Sequence, residues 1–208
     1  MPTPDFDLYL VSDRSQTRGR DLLSVLEQAL EGGVKAIQLR EKDLSGKNLY
    51  NLAEKTCRLC ERYEALLLIN DRVDVALAVD AAGVQLGKTS IPIGAARALL
   101  GPQKLIGVST HSLEEAQYAE RSGADFVLFG PVYFTPSKAS FGAPQGLDAL
   151  KKIVENIAAP VYAIGGIKLA NTVAVCRLGV RGVALISAIL SADQPKLAAA
   201  TMVRQLQR

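Results

Sequence analysis

The sequence predicts a (β/α)8 barrel, the TIM-barrel architecture, as one domain over residues 1–208, and three observations predict it. Eight short apolar, β-branched runs recur roughly every 25 residues, and most intervals between them carry helical periodicity. The runs are apolar on both faces, as strands of a helix-covered parallel sheet must be. Right-handed crossovers then leave an open doubly wound sheet or a closed barrel, and eight units in about 200 residues favour closure. The segment after the first run, "LVSDRSQTRGRD", lacks the G-x-G-x-x-G of a dinucleotide-binding open sheet.

Taken in order, "DLYLVSD" from residue 7 is the first strand, and "RDLLSVLEQALEGG" after it is an amphipathic helix. Leu22, Leu23, Leu26 and Leu30 form its apolar stripe and the glycines end it. "VKAIQLREK" from 34 is the second strand, "ALLLIND" from 65 the third and "GVQLG" from 83 the fourth. "RVDVALAVDA", squeezed between the third and fourth, has room only for a short helix. "LIGVSTH" from 105 is the fifth strand, and "SLEEAQYAERSGA" opens a helix on Ser112, with Glu115 three residues on as a capping box. "FVLFGPVY" from 126, "PVYAIGG" from 160 and "GVALISA" from 182 complete the eight.

The composition excludes several classes. About half of the 208 residues are apolar and the formal net charge is only +3, with the basic residues dispersed, so no nucleic-acid footprint is present. "MPTPDFDLYL" lacks the pattern of a secretory leader, and no apolar run reaches the ~20 residues of a membrane span. A cytoplasmic protein with no membrane partner is expected. Three cysteines argue against a disulfide framework; the "CRLC" of Cys57 and Cys60 sits inside a helical pattern without a second pair, and reads as ordinary half-buried thiols.

In this architecture the active site lies at the carboxyl ends of the strands, and the polar residues collect there. They are Asp13 and Arg14; Gln38, Arg40 and Lys42; Asn70 and Asp71; Ser109 and His111; Thr135, Ser137 and Lys138; Gly165 and Gly166; and Ser187. In "AIQLREKD" the strand alternation sets Gln38, Arg40 and Lys42 on one side and Ile37, Leu39 and Glu41 on the other. A planar guanidinium fork beside a point cation suits an anion such as phosphate. "AIGGI" ends strand seven with two glycines that let backbone amides approach an anion, and "LISAI" ends strand eight with Ser187 opening a helical turn, at the two loops where such barrels bind phosphate. The long loop "GPVYFTPSKASFGAPQG" carries hydroxyls and Lys138, which with Arg40 and Lys42 suits a more highly charged group such as a diphosphate. His111, the only histidine, stands at a strand end where it can hold or move a proton near neutral pH.

"QLREK", "INDRVDVALAVDAAGVQLG", "GVSTHSLEEA", "FGPVYFTPSK", "AIGGI" and "VALISAI", in that order, resemble thiamine phosphate synthase and its close relative thiazole tautomerase over nearly the whole chain. The resemblance implies an enzyme that joins 4-amino-5-hydroxymethyl-2-methylpyrimidine diphosphate to a thiazole phosphate, with diphosphate leaving first and the thiazole nitrogen attacking the resulting cation. It places Gln38, Arg40, Lys42, Asn70, Ser109 and Lys138 at the pyrimidine diphosphate, and Thr135, Ser137, Gly166, Ile186 and Ser187 at the thiazole phosphate. Mg2+ is implied as cofactor, with Asp71 as one ligand. The family's second ligand follows strand four in a His-x-Gly-x-x-Asp pattern, but the sequence here is "QLGKTS": Gln85 replaces the His and Ser90 the Asp, so binding is expected to be weaker, with Lys88 a candidate to carry part of the charge. Two alternatives accompany this reading, a thiazole tautomerase with His111 as acid and base, and a non-catalytic regulator that binds thiamine precursors. The resemblance also implies a homodimer, although no exposed apolar stripe marks an interface.

Overall fold

The computed structural model describes residues 3–135 and 143–207. Eight parallel strands, β1 (Leu8–Val11), β2 (Ala36–Leu39), β3 (Leu66–Asn70), β4 (Gly83–Leu86), β5 (Leu105–Thr110), β6 (Phe126–Phe129), β7 (Val161–Ile164) and β8 (Gly182–Leu185), close into a barrel in sequence order, with β8 pairing back onto β1. Because all pairs are parallel, every carboxyl end falls on one rim. The register sets Leu10 beside Ile37, Ile37 beside Leu67 and Leu10 beside Leu185.

Around the barrel lie α1 (Leu22–Glu31), α2 (Gly46–Arg62), α3 (Val73–Ala78), α4 (Ile93–Leu100), α5 (Leu113–Arg121), α6 (Gly146–Asn156), α7 (Leu169–Cys176), a four-residue turn α8 (Ser187–Leu190) and α9 (Pro195–Leu206). Three helices start on side chains that satisfy otherwise unpaired amides: Asp21 accepts from Ser24 N at 2.9 Å, Ser45 from Asn48 N at 3.3 Å and Ser112 from Glu115 N at 3.2 Å. The expected capping box on α5 is only half formed. Glu115 reaches past Ser112 and accepts from His111 N at 2.8 Å, so its return bond falls one residue early. The buried stripe of α1 is Leu22, Val25, Leu26, Ala29 and Leu30; Leu23 sits at its margin, since a 3.6-residue period favours 25 and 29 over 23. The sixth strand ends at Phe129, four residues before the apolar run does, because the chain turns at Gly130–Pro131.

Two cores result. Ile37, Leu39, Ile69, Val84, Ile106, Val127 and Ala163 face the helices, while Tyr9, Val11, Ala36, Leu68, Leu105, Phe126, Leu128, Tyr162 and Ala184 fill the barrel. Four rings, Phe6, Tyr9, Phe126 and Tyr162, pack with centroids 4.8–6.3 Å apart, mostly edge to face or tilted. Gly107 makes room for them: a Cβ there would come within 2.6 Å of Phe126 Cε2 and closer still to Phe126 Cζ and Gln85 Oε1. On the outside, Arg97 of α4 donates to Asp125 at 2.5 Å, a fully buried carboxylate that also accepts from Ile106 N at 2.7 Å. Cys57 and Cys60 lie in α2 as free thiols, and burial pushes the Cys60 thiol up to about 12. That fits the reading of ordinary thiols. Among the described residues no helix is long and apolar enough to cross a membrane.

Candidate active site

The rim is built from short strand extensions, each fixed by a backbone or side-chain bond of its own. After β1, Asp13 caps a single 3-10 turn (Arg14–Gln16) by accepting from Ser15 N at 3.0 Å and Ser15 Oγ at 2.6 Å. Arg14 pairs with Asp43 and approaches Glu41 at 3.7 Å. Asp13 therefore fixes its own turn, and Arg14 ties the loop after β1 to the loop after β2.

After β2 the strand alternation reaches only Gln38, since the strand ends at Leu39. Gln38 points into the barrel and is buried, Arg40 is half-buried and Lys42 exposed. Ile37 and Leu39 face the helices as expected, but Glu41 leaves them and turns to the β1 loop, where Ser12 Oγ donates to it at 2.7 Å. Its carboxyl is held above the usual range, chiefly by burial, which the bonds from Ser12 and Arg14 oppose.

Gln38 belongs to a chain of hydrogen bonds that crosses the barrel beneath the rim. Its amide donates to Tyr9 Oη at 3.3 Å, Tyr9 donates to Gln85 Oε1 at 3.4 Å, and the Gln85 amide donates to Ser109 Oγ at 3.1 Å. Burial drives the Tyr9 hydroxyl well above its ordinary range, which keeps it a donor. Gln85, read from the sequence only as a departure from a family pattern, thus joins strands β1 and β4 to β5. Tyr9 escaped the sequence reading altogether; the available signal was a hydroxyl inside an otherwise apolar strand.

At the ends of β3 and β4, Asp71 takes a left-handed backbone (φ 65°) and its amide donates to Gln85 O at 3.0 Å. The Ser90 hydroxyl donates to the Asp71 carboxylate while accepting from Gly87 N at 2.6 Å, so the two predicted metal-site residues are in contact. Asn70 is half-buried and Lys88 exposed. Among the described residues, no three His, Cys, Asp or Glu side chains gather as a metal cluster.

His111 follows β5, and its ring, nearly half exposed, lies with Nδ1 3.3 Å from Glu115 of α5. Thr135 is half-buried; Ser137 and Lys138 lie outside the described residues. Beyond β7, Gly165 and Gly166 adopt φ of 99° and 63°, values that favour glycine, and a Cβ on Gly166 would come within 2.7 Å of Tyr133 Cβ. The β7 end supports the β6 loop: Val132 N donates to Ile164 O at 2.8 Å and Tyr133 N to Gly165 O at 3.0 Å. Asn171, unremarked in the sequence, fastens the turn by donating to Gly166 O at 3.0 Å and accepting from Lys168 N at 2.7 Å. Ser187 is exposed at the start of α8, next to half-buried Ile186. Arg20 braces the far end of that turn, donating to Leu190 O at 2.7 Å and Ala192 O at 2.8 Å.

The rim therefore carries a cationic arm on β2, a carboxylate and hydroxyl pair on β3 and β4, and a glycine turn and Ser187 on the neighbouring β7 and β8. Residues 8–189 match the family model described as thiamine monophosphate synthase. The chain belongs to this family. It is 53% identical over 196 residues to a Geobacter sulfurreducens protein provisionally named a thiamine-phosphate synthase, covering 94% of this chain and 92% of that one. It is 44% identical over 198 residues to the thiamine-phosphate synthase of Clostridium novyi, covering 95% and 97%. Among solved structures, a thiamine phosphate pyrophosphorylase from Pyrococcus furiosus superposes with a TM-score of 0.88 at 40% identity, covering 97% of this chain and 96% of that one.

Within the thiamine monophosphate synthase family, the implied magnesium can be weighed against the donors present. Mg2+ takes a near-octahedral oxygen shell, commonly one or two carboxylates with waters and substrate phosphates. Asp71 supplies one carboxylate, and Ser90 a neutral oxygen already committed to Gly87 and Asp71. This donor set fits as the protein's smaller share of a shell that a diphosphate would complete.

Proposed function

We propose that the protein is a thiamine phosphate synthase that joins 4-amino-5-hydroxymethyl-2-methylpyrimidine diphosphate to a thiazole phosphate. The carrying observation is the whole-length likeness to proteins named for this activity, at 44% and 40% identity. The bond between the pyrimidine methylene carbon and the diphosphate oxygen breaks, the electron pair leaving on diphosphate. The thiazole nitrogen then gives its lone pair to the methylene cation, forming the new carbon–nitrogen bond of thiamine phosphate.

Such a dissociative step is helped most by fixed positive charge where the leaving group gathers negative charge, and Arg40, Lys42 and Lys138 fill that role in this reading. Gln38 and Ser109, at opposite ends of the bond chain through Tyr9 and Gln85, hold the pyrimidine. Gln38 commits one amide proton to Tyr9 and keeps its carbonyl as an acceptor; Ser109 accepts from Gln85 and keeps its own proton to donate. Asn70 adds a polar contact beside the diphosphate. Gly165, Gly166, Ile186, Ser187, Thr135 and Ser137 hold the thiazole phosphate. Magnesium, bound through Asp71 with Ser90 at its edge, would supply further charge neutralisation at the diphosphate.

The test is an assay of the purified protein with both substrates, with and without Mg2+, for thiamine phosphate. Arg40→Ala should lower turnover by roughly 10- to 100-fold, the worth of a charge-assisted hydrogen bond, with an unchanged melting temperature. Near-normal turnover removes Arg40 from the reaction. Isomerisation of a thiazole carboxylate phosphate without any thiamine phosphate, abolished by His111→Ala, would replace this reading with the tautomerase.

A further inference from the structure

The loops after β1 and β2 are stapled together by a buried carboxylate and hydroxyl that the proposed reaction leaves unused. Ser12 is fully buried at the end of β1. Its amide donates to Gln38 O at 2.8 Å, its hydroxyl oxygen accepts from Arg40 N at 2.8 Å, and its proton goes to Glu41 Oε1 at 2.7 Å. The other carboxylate oxygen accepts from Arg14 N at 3.3 Å. One serine therefore holds the backbone at residues 38 and 40 and the side chain at 41, the stretch from which Arg40 and Lys42 depart.

The charge arrangement is as informative as the bonds. Glu41 stands between two cations in sequence, and its side chain is only 3% exposed. Among the described residues its only ion pair is with Arg14, not with Arg40 or Lys42. An exposed carboxylate at this position would compete with an anionic ligand for both cations. Turned inward and tied to Ser12 and Arg14, it leaves them available. Burying a carboxylate is unfavourable unless it is paired and hydrogen-bonded, and burial here pushes its carboxyl upward, so the arrangement is retained at some expense in stability.

We propose that Glu41 and Ser12 are positioning residues for the diphosphate, fixing the backbone that carries Arg40 and Lys42 and withholding Glu41 from both cations. The proposal rests on the synthase reading for the identity of the anion. It assigns neither residue a contact with substrate.

The experiment compares wild type, Glu41→Gln and Ser12→Ala in two ways: titration calorimetry with inorganic diphosphate in Mg2+ buffer, and steady-state kinetics with each substrate varied. Loss of the staple should weaken diphosphate binding about tenfold and lower kcat, while KM for thiazole phosphate stays within about twofold. A purely structural role would instead degrade both substrates together. Folded variants that bind diphosphate as wild type does, or that lose both substrates equally, overturn the proposal. If Glu41→Gln does not fold, Ser12→Ala decides alone, since it removes the hydroxyl that joins Arg40 N to Glu41 and leaves the carboxylate in place. Weakened diphosphate binding in the variants of a protein that makes no thiamine phosphate would sink the synthase reading and leave the staple standing.

Discussion

Gly107→Ala asks whether the barrel interior is packed as tightly as its glycine implies. The added methyl would lie within 2.6 Å of Phe126 Cε2, and closer to Phe126 Cζ and Gln85 Oε1, where carbon contacts prefer about 3.5–4.0 Å. Phe126 has no room to retreat: its ring is fully buried and meets Tyr162 at 5.3 Å and both Phe6 and Tyr9 at 5.9 Å between centroids. Gln85 can shift only by loosening its bonds to Tyr9 and Ser109. Overpacking of this kind costs about 1–3 kcal/mol, and a weakened buried hydrogen bond about 0.5–1.5 kcal/mol more. Less conformational freedom in the unfolded chain returns about 0.4–1 kcal/mol. The net loss of about 0.5–4 kcal/mol should lower the melting temperature by about 1–16 °C for a chain of this size, at roughly 2–4 °C per kcal/mol, measured by calorimetry. Gly94→Ala in α4, where a Cβ meets nothing within 4 Å, serves as the control and should leave stability unchanged or slightly raised. Turnover of Gly107→Ala, assayed below its melting transition, should fall as Gln85 displaces Ser109. A Gly107→Ala protein that melts with or above wild type would refute both the tight packing and the coupling.

Two further outcomes follow from other parts of the fold. Ser90→Asp restores a second carboxylate beside Asp71, so Mn2+ or Mg2+ titrated in the presence of inorganic diphosphate should bind more tightly, and half-maximal activity should need less metal; unchanged binding would place residue 90 outside the metal shell. Arg97→Ala strips the fully buried Asp125 side chain of its cation and should cost about 3–5 kcal/mol by denaturant unfolding, with kcat unaffected in the protein that remains folded; a loss under 1 kcal/mol would show that Asp125 is satisfied by the Ile106 amide alone.

The β/α repeat was legible in the chain alone. Short strands apolar on both faces, separated by amphipathic helices, have few ways to bury those faces, so the eight strands and their order were readable without coordinates. The placement of polar residues on the rim was readable for a related reason: polar residues at strand ends have nowhere apolar to go. The length of β2 was not readable, and that decided Glu41. Alternation carried past the true strand end assigned it to the helix side, whereas the strand stops at Leu39, the chain turns at residues 42 and 43, and the carboxylate goes to Ser12. Ser12, Tyr9 and Gln85 share this feature, since each gains its role from a partner 24 to 76 residues away. Periodicity reports which face a residue occupies, but a hydrogen bond between strands depends on register and on curvature of the closed barrel, which no local window of sequence contains. His111 and Glu115 show the same limit at short range. The capping pattern was present, and only the helix's actual start decided that Glu115 bonds the amide of residue 111 instead of 112.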